Sequence, residues 1–172
     1  MMNTTEPQIR PAGFEDAEAI FNLVKMYPEE LLPRAIGDIV QNIDRFLVCE
    51  NGAQVVGTIS WKILPEIGAP RNPSIEIQSL AVHPDSRGKG IGCRLVKAAI
   101  ERIRATHPAQ IIALTFQENF FTKLGFKKIP KEKLMHKIYA GCINCSKYDS
   151  PFTCPEVAMV LEHSGASPEI GS

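Results

Sequence analysis

Ile75-Glu-Ile-Gln-Ser-Leu-Ala-Val-His-Pro-Asp-Ser-Arg-Gly-Lys-Gly-Ile-Gly92 reads as a strand, a glycine-rich turn and the first residues of a helix. The three together make an anion cradle. Glycines at 88, 90 and 92 let the backbone turn tightly and approach a ligand closely, while the opening of a helix presents unpaired N–H groups and a partial positive charge. Such a turn holds a pyrophosphate with backbone amides, so residues 87–92 are expected to bind a nucleotide-like cofactor.

The rest of the chain fits one ordinary α/β domain around that turn. With 172 residues, 44% hydrophobic and 22% charged, it can bury a full core. A formal net charge of zero gives no reason to expect nucleic acid or an anionic membrane as partner. The apolar runs fall short of a membrane span, and Met1–Arg10 lacks the basic and apolar regions of a signal peptide, so a cytoplasmic location is expected.

Residues 1–7 read as a flexible arm, 8–162 as the domain and 163–172, rich in Ser, Gly and Pro, as a tail. Within the domain, Gln8–Pro11 is a short strand, and Phe14–Met26 has apolar residues at helical spacing, ended by Pro28. A second helix is expected over about Arg34–Ile43. Phe46–Cys49 and Gln54–Ile63 are strands joined by a hairpin through Asn51-Gly52. Ser74–Val82 is a strand, Ile91–Ala105 an amphipathic helix with Arg94, Lys97, Glu101 and Arg104 mainly outward. Gln110–Thr115, Phe126–Ile129 and Val157–Leu161 are strands, and Asn119–Leu124 is a short helix stopped by Gly125. The order implies a mixed sheet with flanking helices in a single domain.

Arg87-x-x-Gly-x-Gly92, the strand end Leu80-Ala-Val-His-Pro84 before it and Phe120-Phe-Thr-Lys-Leu-Gly-Phe126 after it resemble the GNAT superfamily of acetyl-CoA-dependent N-acetyltransferases, over roughly residues 8–162. The resemblance implies a mostly antiparallel sheet with splayed central strands. It also implies acetyl-CoA as co-substrate, with Arg87, Gly88, Lys89, Gly90, Ile91 and Gly92 at its pyrophosphate and Leu80, Ala81 and Val82 along its pantetheine. Glu76 lies six residues before Val82, where the family carries its general base; from the residues themselves, a carboxylate inside an otherwise apolar strand is costly unless paired or functional. Many members carry a tyrosine as general acid four residues before the glycine of the Gly-Phe pair, where this chain has Phe121.

Leu31-Leu-Pro-Arg34, Ile75–Pro84, Leu134–Tyr139 and Cys142-Ile-Asn-Cys145 with Cys154-Pro-Glu together resemble the short, stand-alone N-acetylglutamate synthases. That implies acetylation of the α-amine of L-glutamate, in arginine biosynthesis, with Arg34 binding a substrate carboxylate through charge-assisted contacts and Lys137 as a second contact. The serine that usually follows the arginine is Ala35, and Thr115-Phe-Gln-Glu118 replaces a tyrosine-containing stretch. Two other readings stay open: acetylation of a different amine (amino acid, polyamine, aminoglycoside or peptide), or a non-catalytic acetyl-CoA-binding sensor. The cations at 34 and 137 oppose a polycationic acceptor. A homodimer is compatible with the family.

Five cysteines are an odd number for a disulfide framework. Cys49 and Cys93 fall in regular elements as reduced thiols. Cys142, Cys145 and Cys154 leave three states open: a zinc site completed by His136 or His163, a disulfide, or reduced packing thiols. Acetyl transfer requires none of them, and no metal is assigned. The cluster is expected to order an insertion at about 130–155, near the mouth of a substrate pocket.

Overall fold

The computed structural model describes residues 6–65, 72–134, 142 and 145–162. Seven strands form one sheet in the order β1-β2-β3-β4-β5-β7-β6. They are β1 (Gln8–Pro11), β2 (Phe46–Asn51), β3 (Gln54–Leu64), β4 (Ser74–Val82), β5 (Gln110–Thr115), β6 (Lys127–Ile129) and β7 (Val157–Glu162). Every neighbouring pair is antiparallel except β4–β5, which is parallel. The single parallel pair follows from the crossover helix α3 (Ile91–Arg104), which carries the chain from the end of β4 back to the start of β5. The expected single α/β domain with a mixed, mostly antiparallel sheet is what forms.

The sheet is covered on both faces, and β2 shows why. Its Phe46-Leu-Val-Cys49 run is apolar at every position because Leu47 and Cys49 pack toward α3 while Phe46 and Val48 pack under α1 (Ala17–Lys25) and α2 (Ile36–Gln41). On the α3 face, Ile91, Leu95, Val96, Ala99 and Ile103 meet Ile59, Ile75, Ile77 and Ile111, and Phe121 of α4 (Glu118–Lys123) joins them. A third cluster, Leu64, Ile112, Leu134, Ala158 and Val160, closes the sheet beside β7.

Two helices are shorter than their sequence pattern implies, and one side chain turns inward. Phe14–Asp16 is a 3-10 turn, because Asp16 is drawn to Arg10 and to the Gly13 amide, and the α-helix begins only at Ala17. The expected helix over 34–43 shrinks to Ile36–Gln41: Ala35 is extended and offers no side-chain cap, and the Asn42 amide closes the helix before a 3-10 turn at Ile43–Arg45. Arg94, expected outward, is half-buried and donates to the Pro7 carbonyl at 2.7 Å.

Candidate active site

Two features of β4 build the site. Its ladder with β5 holds only Ser74↔Gln110, Ile75↔Ile111 and Glu76↔Ile112; beyond that point the strands diverge. The cleft between them, about 480 Å³, is lined by Gln78–Val82 on one side and Ala113–Gln117 on the other. Second, β4 bulges against β3: Gln78 faces Ser60 and Ala81 faces Thr58, so Ser79 and Leu80 share the single partner Ile59. Ser79 takes the left-handed conformation with φ 52°. The extra residue inverts the alternation of the strand. Ile75 and Ile77 point to the α3 core, yet after the bulge Leu80 and Val82, not Ser79 and Ala81, pack on that side.

The glycine-rich turn lies at the far end of this cleft. Gly88 and Gly90 adopt φ 76° and 75°, which side chains rarely tolerate, and a Cβ at either would meet no protein atom within 4 Å. α3 starts on Gly90 with no side-chain cap and no acidic residue in its first turn. Its leading amides therefore face open space, and the cradle fits a pyrophosphate. Arg87 flanks it with its guanidinium 4.5 Å from the centre of the Tyr27 ring, and the Tyr27 hydroxyl donates to the Val82 carbonyl. Tyr27 had no sequence signal beyond the end of a helix. Phe121 borders the cleft from α4, packed edge-on against Phe120 and Phe126 with centroids 5.2 Å apart. No hydroxyl stands at its position.

A second cavity, about 430 Å³, opens on the opposite face of β4. Gln78, Ser79, Leu114 and Phe116 border both spaces, so the two meet there. Glu76 lines this cavity and is 4% exposed. Its Oε2 accepts from Gln78 Nε2 at 2.8 Å. Arg34, just ahead of α2, lies on the same wall with 15% of its side chain exposed. Its Nε donates to Asp38 Oδ2 at 2.6 Å, its Nη1 to Ser60 Oγ and Ser79 Oγ at 3.2 Å each, and the guanidinium lies over the Phe46 ring. Arg45 and Lys62 add positive charge to the lining. Lys137, His136 and His163 lie outside the described residues.

Described residues between β6 and β7, among them Lys131, Leu134, Lys147 and Tyr148, also line this cavity. Cys142, Cys145 and Cys154 all line it. Lys147 donates to the carbonyls of Pro28 and Leu31 at 2.7 and 3.1 Å, and Lys131 donates to those of Pro151 and Cys154. The described cysteines are all free thiols, and among the described residues no three His, Cys, Asp or Glu side chains gather to hold a metal. Burial pushes the Cys154 thiol above its ordinary pKa. Among the described residues no helix is long and apolar enough to cross a membrane.

Cradle, splayed strands and bulge together describe an acyl-coenzyme A transferase fold, and the comparisons agree. The family model described as Acetyltransferase (GNAT) domain matches residues 42–128. An uncharacterized N-acetyltransferase of Chlorobaculum tepidum is 33% identical over 161 residues, covering 92% of this chain and 98% of its own length. The amino-acid acetyltransferase of Mycobacterium tuberculosis is 28% identical over 169 residues, 95% of this chain and 89% of that one. Among solved structures, Rv2747 from Mycobacterium tuberculosis in complex with CoA and NLQ superposes with a TM-score of 0.76 at 24% identity, covering 91% of this chain and 99% of that one. The chain belongs to the GNAT acetyltransferase family. It is an acetyl-CoA-dependent N-acetyltransferase whose relatives include amino-acid acetyltransferases.

Proposed function

We propose that this enzyme acetylates the α-amine of L-glutamate, the reaction that feeds arginine biosynthesis. The observation that carries the reading is that Arg34 and Glu76 line one cavity that opens onto the thioester end of the cofactor cleft at Gln78 and Ser79. A glutamate entering there brings two carboxylates, which suits a wall carrying Arg34, Arg45 and Lys62 better than a polyamine would. The amino-acid acetyltransferase among the relatives supports an amino acid as acceptor.

In this reading Arg87–Gly92 hold the pyrophosphate through the α3 amides, and Leu80, Ala81 and Val82 align the pantetheine along the unpaired edge of β4. Arg34 anchors a carboxylate of the acceptor. Its Nη2 edge serves for this, since Nε is taken by Asp38 and Nη1 by Ser60 and Ser79. Glu76 accepts the proton of the α-ammonium, directly or through one water. The freed amine attacks the thioester carbonyl, a C–N bond forms, the C–S bond breaks with coenzyme A leaving as thiolate, and the second proton of the nitrogen passes through solvent to that thiolate as the amide forms. A thiol ionises readily enough near neutrality that Phe121 in place of a hydroxyl does not stop the step.

Two variants test the assignment. Arg34→Met should raise KM for glutamate by at least about tenfold, the loss of one charge-assisted contact, while KM for acetyl-CoA stays within about twofold. Glu76→Gln should keep acetyl-CoA binding and lose about two to four orders of magnitude in kcat. Glutamate turnover indifferent to Arg34 would remove the acceptor assignment.

A further inference from the structure

Gln78 joins the two residues on which the proposed chemistry rests. Its Nε2 donates to Glu76 Oε2 at 2.8 Å, and its Oε1 lies 3.5 Å from Arg34 Nη1, the longest contact of a nitrogen that shares its two hydrogens among Gln78, Ser60 and Ser79. The orientation of the amide is chemically forced. A guanidinium only donates and an ionised carboxylate only accepts, so the flipped amide would set donor against donor and acceptor against acceptor. With Asp38 on Arg34 Nε, a continuous row Asp38–Arg34–Gln78–Glu76 runs along the cavity wall.

The backbone explains why the row stops where it does. Gln78 is the last β4 residue on the Glu76 face before the bulge inverts the alternation at Ser79. It borders both cavities, at the place where an amine and a thioester have to meet. Lys62 on β3 is the register partner of Glu76. Around the cavity, Glu30 precedes α2, Arg45 follows it, and Lys131, Lys147 and Glu156 line it from between β6 and β7. Glu76 has a further interaction besides Gln78. Gln78 reaches both Glu76 and Arg34.

We propose that Gln78 is the positioning residue of this site, fixing the Glu76 carboxylate and tying it to Arg34. Anchoring an acceptor carboxylate and receiving the proton of its neighbouring ammonium then occur on one rigid frame. The acceptor class this favours is an amine with a carboxylate close by, as in an α-amino acid. A glutamate side chain has three rotatable torsions, and proton transfer needs its oxygen within hydrogen-bond reach of the ammonium, so fixing the carboxylate raises kcat rather than affinity. The inference rests on Glu76 as base and Arg34 as anchor.

The test is a double-mutant cycle with acetyl-CoA and glutamate, measured by thiol release. Gln78→Met, similar in size and without polar hydrogens, should lower kcat about tenfold, the equivalent of one hydrogen bond to a charged group, with KM for acetyl-CoA within twofold. Glu76→Asp draws the carboxylate out of reach of residue 78 while leaving measurable turnover. On that background Gln78→Met should cost clearly less than its tenfold cost in the parent, because its short bond to Glu76 is already gone and only the longer contact to Arg34 remains to be lost. A purely structural glutamine would give losses that multiply, and that result, or parental kcat in Gln78→Met, overturns the inference. Should Gln78→Met not fold, Gln78→Glu keeps the acceptor for Arg34, removes the donor to Glu76 and should lose at least as much. Glu76→Gln separates the two levels: unchanged kcat there removes the base and this inference together, whereas a slow Glu76→Gln with multiplying losses removes Gln78 alone.

Discussion

Gly57→Ala tests whether the packing of α3 on the sheet sets the anion cradle. Gly57 lies mid-strand in β3, between Cys49 of β2 and Val82 of β4. A Cβ there would stand 3.0 Å from Leu95 Cδ1, 3.1 Å from Ile91 Cγ2 and 3.4 Å from Cys49 Cβ. Carbon atoms settle at about 3.5–4.0 Å, so roughly half an ångström must be given back by α3. Leu95 and Ile91 are both buried. Overpacking of this kind costs about 1–3 kcal/mol. Ile91 is also the first residue of α3, so the same retreat displaces the amides proposed to hold the pyrophosphate. Lengthening those hydrogen bonds should raise KM for acetyl-CoA about three- to tenfold, or on the order of 1 kcal/mol. Urea unfolding gives the first quantity and initial-rate kinetics the second. Leu95→Ala added to Gly57→Ala returns the space, and its cost should be smaller there than in the parent. A Gly57→Ala protein with reduced stability but parental KM would refute the coupling. One unchanged in both would refute the close packing itself.

Gly90→Ala leaves its Cβ in open space but forces an L-residue to φ 75°, so stability should fall by only about 1–2 kcal/mol while calorimetric affinity for acetyl-CoA falls more than tenfold. Asp16 is nearly buried and held by Arg10, whose hydrogen bonds lower the carboxyl pKa in the folded state. A depressed folded pKa means its stabilisation is complete above the unfolded value near 4 and is lost as pH falls through the folded one. Asp16→Asn should therefore cost about 1–2 kcal/mol at pH 7, moderated by the partial exposure of Arg10, and the two proteins should converge in urea midpoint toward pH 2. The Cys154 thiol, raised by burial, should react with iodoacetamide at pH 7.5 more slowly than an unfolded cysteine peptide; an equal rate would contradict its half-buried setting.

Much of this architecture was legible in the residues because local and global preferences agree. Gln8–Pro11, Ser74–Val82 and Gln110–Thr115 form with the expected bounds, and the helix after Gly90 starts where its glycines place it. Helix ends were less legible. Asp16 and Ala35 decide them through an ion pair with Arg10 and a missing cap, neither of which periodicity registers. At the site, Glu76 stood out as a carboxylate among isoleucines, and Gln78, two residues on and therefore on the same face, was readable by the same alternation. The bulge at Ser79 was not, since nothing in Gln-Ser-Leu marks a left-handed serine, and it reverses which residues face α3 afterwards. Tyr27, Asp38 and Ser60 reach the site from three separate elements, an arrangement only the tertiary fold creates.

Free-thiol release from acetyl-CoA by the purified enzyme, against glutamate, glutamine, aspartate, lysine, spermidine and no acceptor, tests the acceptor most directly. A wall bearing Arg34, Arg45 and Lys62 should give the highest kcat/KM with glutamate, at least tenfold above glutamine and with spermidine at background. Turnover led by spermidine or lysine, with glutamate at background, would contradict a carboxylate-anchoring site.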